Sequence, residues 1–124
     1  MIDFKNKTFI KLKQVDIGTV INGVQPLLIN GEDVISAYKA MRDYVVFTNK
    51  RVISVNVQGV TGSKKDFSSL PYSKVSAYSV ETAGTLDLDS ELEMYFSGLG
   101  KVRFEFTGRS NIVQIGQMIS TFIL

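Results

Sequence analysis

The 124-residue sequence contains no cysteine, no histidine and only two prolines. Without cysteine the chain cannot form disulfides, thiolate metal sites or a cysteine nucleophile. Without histidine it lacks the side chain that most often transfers protons near neutral pH, which is also the commonest metal ligand. Serine is present, but no histidine is available to activate it as a nucleophile. These absences argue against a hydrolase, a zinc protein or a redox protein.

Charge and hydropathy narrow the class of protein further. The formal net charge is +2, which is too small to indicate nucleic-acid binding. No run of residues approaches the ~18 apolar residues of a membrane span, and residues 1–7 lack the pattern of a secretory signal. Hydrophobic residues make up 44% and charged residues 21% of the chain, which is typical of a packed domain. We therefore expect one domain and a cytoplasmic location.

The first thirty residues have the spacing of a helix rather than of a strand. Their apolar residues recur every three or four positions, at Ile17, Val20, Ile21, Val24 and Leu28. Asp16 is a suitable N-cap, and Pro26 is expected to divide the helix into two short pieces. The spacing predicts a helical extension over residues 1–30.

From Asp33 onwards the period of the apolar residues changes to two. Seven segments rich in Val, Ile, Tyr, Phe and Thr are predicted strands, and they are 33–40, 43–49, 51–58, 65–70, 74–82, 86–96 and 101–107. Asn49-Lys50 lies between two of them and predicts a tight hairpin, because Asn tolerates a positive φ.

Helical spacing returns at the end of the chain. Ser110 is the expected N-cap, and the apolar stripe consists of Ile112, Ile115, Ile119, Phe122 and Ile123. A helix with so apolar a face should cover an open end of the sheet system. The pattern therefore predicts seven strands closed by one C-terminal helix.

Four separated segments carry a family resemblance: VFTNKR (46–51), LPYS (70–73), YSVETAG (78–84) and LDLD (86–89). From about Leu28 to the C-terminus the chain resembles the bacterial pleckstrin-homology (PH) domain family, a PH-like family of unknown function. The resemblance implies a mainly β fold, a PH-like barrel of seven antiparallel strands in two roughly orthogonal sheets with a C-terminal helix. The barrel would span residues 31–124. The resemblance also implies small cytoplasmic proteins that form ring-like homo-oligomers, and it brings no catalytic or ligand-binding residues.

Charge is distributed unevenly along the predicted barrel. Residues 39–74 hold seven cations and two acids, a balance of +5, whereas residues 75–100 hold five acids and no cation, a balance of −5. Two interpretations remain open, namely ordinary solvated faces or a head-to-tail interface between copies of the chain. The candidate interface residues are Asp87, Asp89, Glu91, Glu93, Lys50 and Arg51.

The acidic residues of this half are spaced by two, so on a strand their Cβ atoms would be ~6.6–6.8 Å apart. Such a row does not converge on one ion, as the ligands of a calcium loop do. We therefore predict no metal site.

Basic residues in the loops are candidates for binding an anion at one mouth of the barrel. They are Lys39, Arg42, Lys64 and Lys65. The segment 59–65 contains glycine and lysine but lacks the Gly-Lys-Ser/Thr order of a phosphate loop. The segment 39–43 lacks the dense basic pattern that phosphoinositide recognition would require. Four loop cations would give only a transient attraction to an anionic membrane, at ~1 kcal/mol per cation.

The sequence is interpreted as a non-enzymatic PH-like module that assembles into a ring-like homo-oligomer of more than two subunits and serves protein interaction or scaffolding. The expected partners are further copies of the chain and another protein, with no nucleic acid and no cofactor. The alternative is a weak, peripheral binder of an anionic membrane surface or a lipid headgroup.

The missing residue types lead to a first testable prediction. Protein purified without any chelator is expected to contain no stoichiometric transition metal by elemental analysis. A broad esterase and phosphatase screen is expected to show no turnover above that of a heat-denatured sample. A metal at one equivalent per chain, or reproducible turnover, would contradict this expectation.

Overall fold

The computed structural model describes residues 6–86, 88–108 and 112–124. Its eight strands are β1 (Asn6–Val15), β2 (Val34–Ala40), β3 (Asp43–Thr48), β4 (Arg51–Gln58), β5 (Lys64–Pro71), β6 (Val75–Glu81), β7 (Ser90–Phe96) and β8 (Gly100–Phe106). The helices are α1 (Ile21–Val24) and α2 (Ile112–Ile123), and three 3-10 turns span Ile17–Thr19, Gln25–Leu27 and Tyr72–Lys74. None of the helices in these ranges has the length and hydropathy that crossing a membrane requires.

The strands form one sheet in the hydrogen-bonded order β5-β4-β3-β2-β1-β8-β7-β6. All neighbours are antiparallel except β1 and β8, which are parallel. Strand β1 changes partner along its length, because residues 6–12 pair with β8 whereas residues 13–15 pair with β2. It therefore joins two half-sheets, β2–β5 and β6–β8. Strands β5 and β6 do not pair, so the sheet is PH-like but is not a closed barrel.

The prediction of a helical extension over residues 1–30 is wrong for residues 6–15, which form strand β1. This strand contains a bulge between Phe9 and Leu12, where Lys11 has a φ of 56°. The extra residue lets Phe9 and Leu12 both face the core although they are three positions apart. The apolar stripe on which the helix prediction rested, Ile17 to Leu28, begins after the end of this strand. Residues 1–5 lie outside the described ranges.

The segment after β1 is helical, as predicted, but it forms short turns rather than two helical pieces. Pro26 lies within the last of these turns. Asp16 precedes the first turn, but its side chain makes no capping hydrogen bond; instead the hydroxyl of Thr19 donates to the Asp16 carbonyl at 2.7 Å. Val20 and Val24 are the buried residues of this segment, and they anchor it on the sheet.

Two apolar clusters lie on the two faces of β2–β5. The inner cluster is shared with β6–β8 and α2, and its largest side chains include Tyr38, Tyr72, Phe47, Phe104 and Phe106. The outer cluster packs the buried valines of the N-terminal turns against Val46, Ile53 and Val55. Because β3 and β4 are covered on both faces, their sequences are almost continuously apolar.

All seven strands predicted from the alternating pattern are present, with bounds that differ by only a few residues except at β7. The segment predicted over 86–96 begins as a strand only at Ser90, and Leu86 and Leu88 are exposed. The hairpin at Asn49-Lys50 is confirmed, but the reason given for it is wrong, because Asn49 does not have a positive φ. Its side chain instead accepts from the Asp33 amide at 2.9 Å and donates to the Gly31 carbonyl at 3.0 Å.

The C-terminal helix is confirmed. Ile112, Ile115 and Ile119 are buried in the inner cluster, whereas Phe122 is half-exposed and stacks on Tyr72 with ring centroids 6.1 Å apart. Ser110, the expected N-cap, lies outside the described residues. The helix packs on β6, β7 and the turn Tyr72–Lys74, and so covers the end of the sheet where the two half-sheets do not meet.

The turn between β2 and β3 supplies a test of backbone strain. Met41 has a φ of 56° and a side chain that is 96% exposed, so it has almost no packing to lose. Because a left-handed conformation costs an L-residue about 1–2 kcal/mol, Met41→Gly is expected to raise the free energy of unfolding by about 0.5–1 kcal/mol. Urea titration followed by circular dichroism measures the change. Met41→Ala is the control and should not raise the free energy of unfolding. Equal free energies of unfolding for the two variants would show that Met41 is not strained.

Candidate functional site

The two outermost strands of the sheet form the candidate site. Strands β5 and β6 lie at opposite ends of the hydrogen-bonded order, and no strand in the described part of the chain pairs with their outer edges. Along the chain they are separated only by the turn Tyr72–Lys74. An unpaired edge presents backbone N–H and C=O groups that can pair with another strand. Both edges are therefore able to accept a strand from a second chain.

A groove accompanies the edge of β6 because α2 packs beside it. Tyr78 and Val80 of β6 and Gly116 and Ser120 of α2 line this groove, which has a volume of about 610 Å³. The hydroxyls of Tyr78 and Ser120 are hydrogen-bonded. A Cβ at position 116 would lie only 3.3 Å from the Val80 side chain, so glycine lets the helix approach the strand closely. A strand added to β6 would therefore contact the side of α2 as well as the open edge of β6.

The four cations predicted to bind an anion lie at one end of the sheet but do not form one cradle. The β2–β3 turn and the β4–β5 loop meet there, since Arg42 donates from Nη1 to the Gly59 carbonyl at 2.6 Å. Lys39 and Lys65 lie on the outer face with Tyr44 and Val57, their strand partners. Lys64 follows the alternation of the strand to the opposite face.

The predicted acidic face is present on β7, but it is partly neutralised within the chain. Glu91 forms a salt bridge with Arg103 of β8, and Glu93 lies 4.0 Å from the same guanidinium. The Tyr95 hydroxyl donates to Glu93 Oε2 at 2.5 Å. Hydrogen bonding to Glu91 raises the pKa of Arg103, and hydrogen bonding to Glu93 raises the pKa of Tyr95. Both carboxylates are therefore already engaged by side chains of the same chain.

Two further acids belong to this face. The pairings of β7 with its two neighbours place Glu81 and Glu105 on either side of Glu91. Asp89 precedes β7, and Asp87 lies outside the described residues. Within the described ranges, no group of three or more acidic side chains is arranged to hold a metal ion.

Arg51, predicted as part of a basic interface, is used inside the molecule. Its Nε and Nη2 atoms each donate at 2.9 Å to the carboxylate of Glu32, whose side chain is completely buried. Nη2 also donates to the Leu27 carbonyl at 2.8 Å, and Nη1 donates to the Ser69 hydroxyl at 2.9 Å. A bidentate pair of this kind fixes geometry as well as charge. Arg51 therefore ties the segment before β2 to the β3–β4 hairpin, while Lys50 beside it stays exposed.

Glu32 is a key residue that the sequence did not reveal. Burial raises its pKa, but hydrogen bonds from Arg51, Thr48 and the Ile29 amide outweigh burial and bring the pKa below its ordinary value of 4.5. Burial also raises the pKa of Tyr72, and the charge of Glu32 adds to this effect. The Tyr72 hydroxyl donates to the Thr48 carbonyl at 2.8 Å, so the same network reaches the turn between β5 and β6.

Comparison with known sequences gives consistent matches. The family model described as "Bacterial PH domain" matches residues 3–123. The uncharacterized protein YjqA of Bacillus subtilis (strain 168) is 46% identical over 96 residues, which are 76% of this chain and 77% of YjqA. The uncharacterized protein YozO of the same organism is 35% identical over 69 residues, which are 56% of this chain and 60% of YozO.

Solved structures are similar over nearly the whole chain. A crystal structure of a DUF1696 family protein with a pleckstrin-homology domain, from Shewanella loihica PV-4, superposes with a TM-score of 0.76 at 35% identity. It covers 94% of this chain and 100% of that chain. A pleckstrin homology domain from Shewanella amazonensis SB2B superposes with a TM-score of 0.65 at 39% identity, covering 89% of this chain and 90% of that chain.

The Glu32 network leads to a stability prediction. Glu32→Gln removes a buried carboxylate that accepts four hydrogen bonds, and is expected to lower the free energy of unfolding by about 2–3 kcal/mol. Because the pKa of Glu32 is lowered in the folded chain, its contribution is present above pH 4.5 and is lost as the pH falls through the folded value. Urea titrations from neutral to acid pH should therefore show a steeper loss for the unmodified chain than for the variant. Asp16→Asn, at an exposed carboxylate, is the control; parallel pH profiles for the unmodified chain and Glu32→Gln would contradict the prediction.

Proposed function

The chain belongs to the bacterial PH domain family, and we propose that it is a non-enzymatic module that assembles with copies of itself into a ring-like homo-oligomer of more than two subunits. In this proposal β5 of one copy pairs with β6 of the next. The two edges differ, so the contact is head-to-tail and repeats around the ring until it closes. The assembly would act as a scaffold that presents many copies of one surface to another protein.

The observation that carries the proposal is the pair of open edges. Strands β5 and β6 each have one paired side and one outer side without a strand in the described part of the chain. Single-chain proteins usually protect long exposed edges with bulges, inward charges or a covering segment. Strand β6 has a register shift between Val75 and Ala77, and the rest of the strand borders the groove beside α2, which can receive side chains of an added strand. Joining the edges would extend the sheet from one copy into the next.

Charge at the two edges favours one direction of pairing. Strand β5 begins with Lys64 and Lys65, and β6 ends with Glu81, and all three side chains are exposed. In an antiparallel contact the start of β5 meets the end of the neighbour's β6, which brings Lys65 opposite Glu81. An exposed ion pair contributes only about 0–1 kcal/mol, so it would set the register while backbone hydrogen bonds and apolar contacts provide most of the stability.

The same arrangement changes the partners expected for the acidic face. Glu91 and Glu93 of β7 lie beside the end of β6 on the same face as Glu81, so they would be one strand away from Lys65 of the neighbour, whereas Lys64 would lie on the opposite face. Lys50 lies next to the other end of β5 and would be remote from these acids. The proposed contact therefore retains the acidic half of the predicted interface and assigns its cationic half to the start of β5.

Charge reversal with rescue tests the interface. Light scattering coupled to size-exclusion chromatography is expected to give a single species of more than two subunits for the unmodified chain. Lys65→Glu or Glu81→Lys alone is expected to weaken association about tenfold, because each places like charges opposite one another. The double variant should regain the association of the unmodified chain.

Lys39→Glu is the matched control, since Lys39 is exposed on β2 in the interior of the sheet. It is expected to leave the oligomer unchanged, and circular dichroism checks that all variants are folded. A chain that stays monomeric at high concentration would overturn the proposal. A symmetric dimer, or a double variant no better than either single one, would overturn the head-to-tail contact.

A further inference from the structure

The first part of β1 is paired on one side only. Residues 6–12 pair with β8, but β2 ends at Ala40 and pairs with β1 only through residues 13–15. A cavity of about 370 Å³ lies beside this unpaired stretch, between β1 and the β2–β3 turn. Its size is at the lower end of the range of cavities that hold small molecules. The cavity is distinct from both outer edges of the sheet.

The floor of the cavity is apolar and firmly supported. Phe9, Leu12 and Val45 contribute to it, and Leu12 and Val45 are buried members of the inner cluster. The ring of Phe9 is stacked in parallel on Phe104, with centroids 5.2 Å apart. A preformed apolar floor of this kind suits a short hydrocarbon chain.

The rim of the cavity is positively charged. Lys7 and Lys11 both line it, and the Lys7 Nζ atom lies 5.1 Å from the centre of the Phe9 ring, directly above the apolar floor. The acid that lines the cavity is Asp43, and its Oδ1 atom accepts from the Val57 amide at 2.9 Å. Two cations therefore face an opening whose carboxylate already holds a backbone hydrogen bond. Lys7, Lys11 and Asp43 together carry a net charge of +1, which favours an anionic ligand.

Backbone strain is concentrated at the same place. Lys11 and Met41 both have a φ of 56°, and they are the non-glycine residues with a positive φ in the described ranges. Lys11 lies in the bulge of β1 and Met41 lies in the β2–β3 turn, and both line the cavity. Strained residues and bulges are found preferentially at ligand sites, where they direct a side chain toward the ligand.

We propose that this cavity binds a small amphiphilic anion, with one carboxylate or phosphate head on an unbranched apolar chain. The head lies between Lys7 and Lys11, and the chain lies on Phe9, Leu12 and Val45. A compact anion without a chain leaves the apolar floor uncovered, and a neutral alcohol leaves the two cations without a partner. The site therefore requires both parts of the ligand in one molecule.

Calorimetric titration of the purified full chain tests the requirement for both parts. Decanoate is expected to bind with one molecule per chain. Decanol and inorganic phosphate, which each lack one part, are expected to bind at least about tenfold more weakly. Phosphate that binds as tightly as decanoate would overturn the proposal, as would decanol that does so.

Variants and chemical shifts test the location. Lys11→Gln keeps an unbranched side chain in the bulge and is expected to weaken decanoate binding about tenfold, because it removes one charge-assisted contact. Lys74→Gln removes the same charge from an exposed position in the turn after β5 and should leave binding unchanged. Amide shifts on addition of decanoate should be largest at Phe9, Leu12 and residues 40–45. Equal binding by the two variants, or shifts confined to other residues, would overturn the assignment.

Two arms of the experiment distinguish the source of the ligand. Sedimentation with phosphatidylglycerol vesicles that is lost in Lys11→Gln would assign the site to a membrane lipid. Decanoate binding without vesicle sedimentation would assign it to a free amphiphile, and either result supports the proposal. Absence of binding in both arms would refute it. Light scattering on the same samples reports the oligomeric state, so a failure of assembly cannot be mistaken for a failure of this site.

Discussion

The change of hydrogen-bonding partner within β1 is the constraint on which the rest of the structure depends. One strand serves two half-sheets, first parallel to β8 and then antiparallel to β2. Because this junction joins the half-sheets on one side, the outer edges of β5 and β6 are left at the two ends of a continuous sheet. Because the junction occurs only at residues 12–13, the first part of β1 keeps one open side. Both proposed sites follow from this single junction.

A second anchor acts on the other face of β2–β5. The buried carboxylate of Glu32 and the guanidinium of Arg51 hold the segment before β2 against the β3–β4 hairpin. This segment carries Val20 and Val24, which cover the outer apolar cluster. The network is extended by Thr48 to Tyr72, and so the turn between the two edge strands is positioned by the same charge pair.

Much of the fold could be predicted from the sequence, because most strands alternate regularly. The pattern of Val102, Phe104 and Phe106 against Arg103 and Glu105 is the clearest case, and the family resemblance inferred from separated segments is confirmed by the match over residues 3–123. Strand β1 could not be predicted because its bulge replaces the period of two by a spacing of three. The pairing of β1 with β8 also joins residues from opposite ends of the chain, and no local pattern reports such a contact.

The candidate site was less accessible to sequence reasoning than the fold. The sequence showed opposite charge in two stretches of the chain, but it did not show that Arg51 and Glu91 form ion pairs within the chain. The burial of Glu32 could not be predicted, because its partner Arg51 is remote in sequence and a glutamate in a turn is ordinarily exposed. The cations at the cavity, Lys7 and Lys11, lie in the segment whose secondary structure was predicted wrongly, so they could not be placed.

The dependence of the sheet on β1 also has a consequence for the order of folding. Strands β2–β5 are joined by short consecutive connections, so this half-sheet consists of local hairpins that form quickly. Lys7 and Val102 can pair only when almost the whole chain is present, which makes their contact the slowest kind to close. During synthesis on the ribosome, the first part of β1 must therefore remain unpaired while β2–β5 form, until β8 has been synthesised.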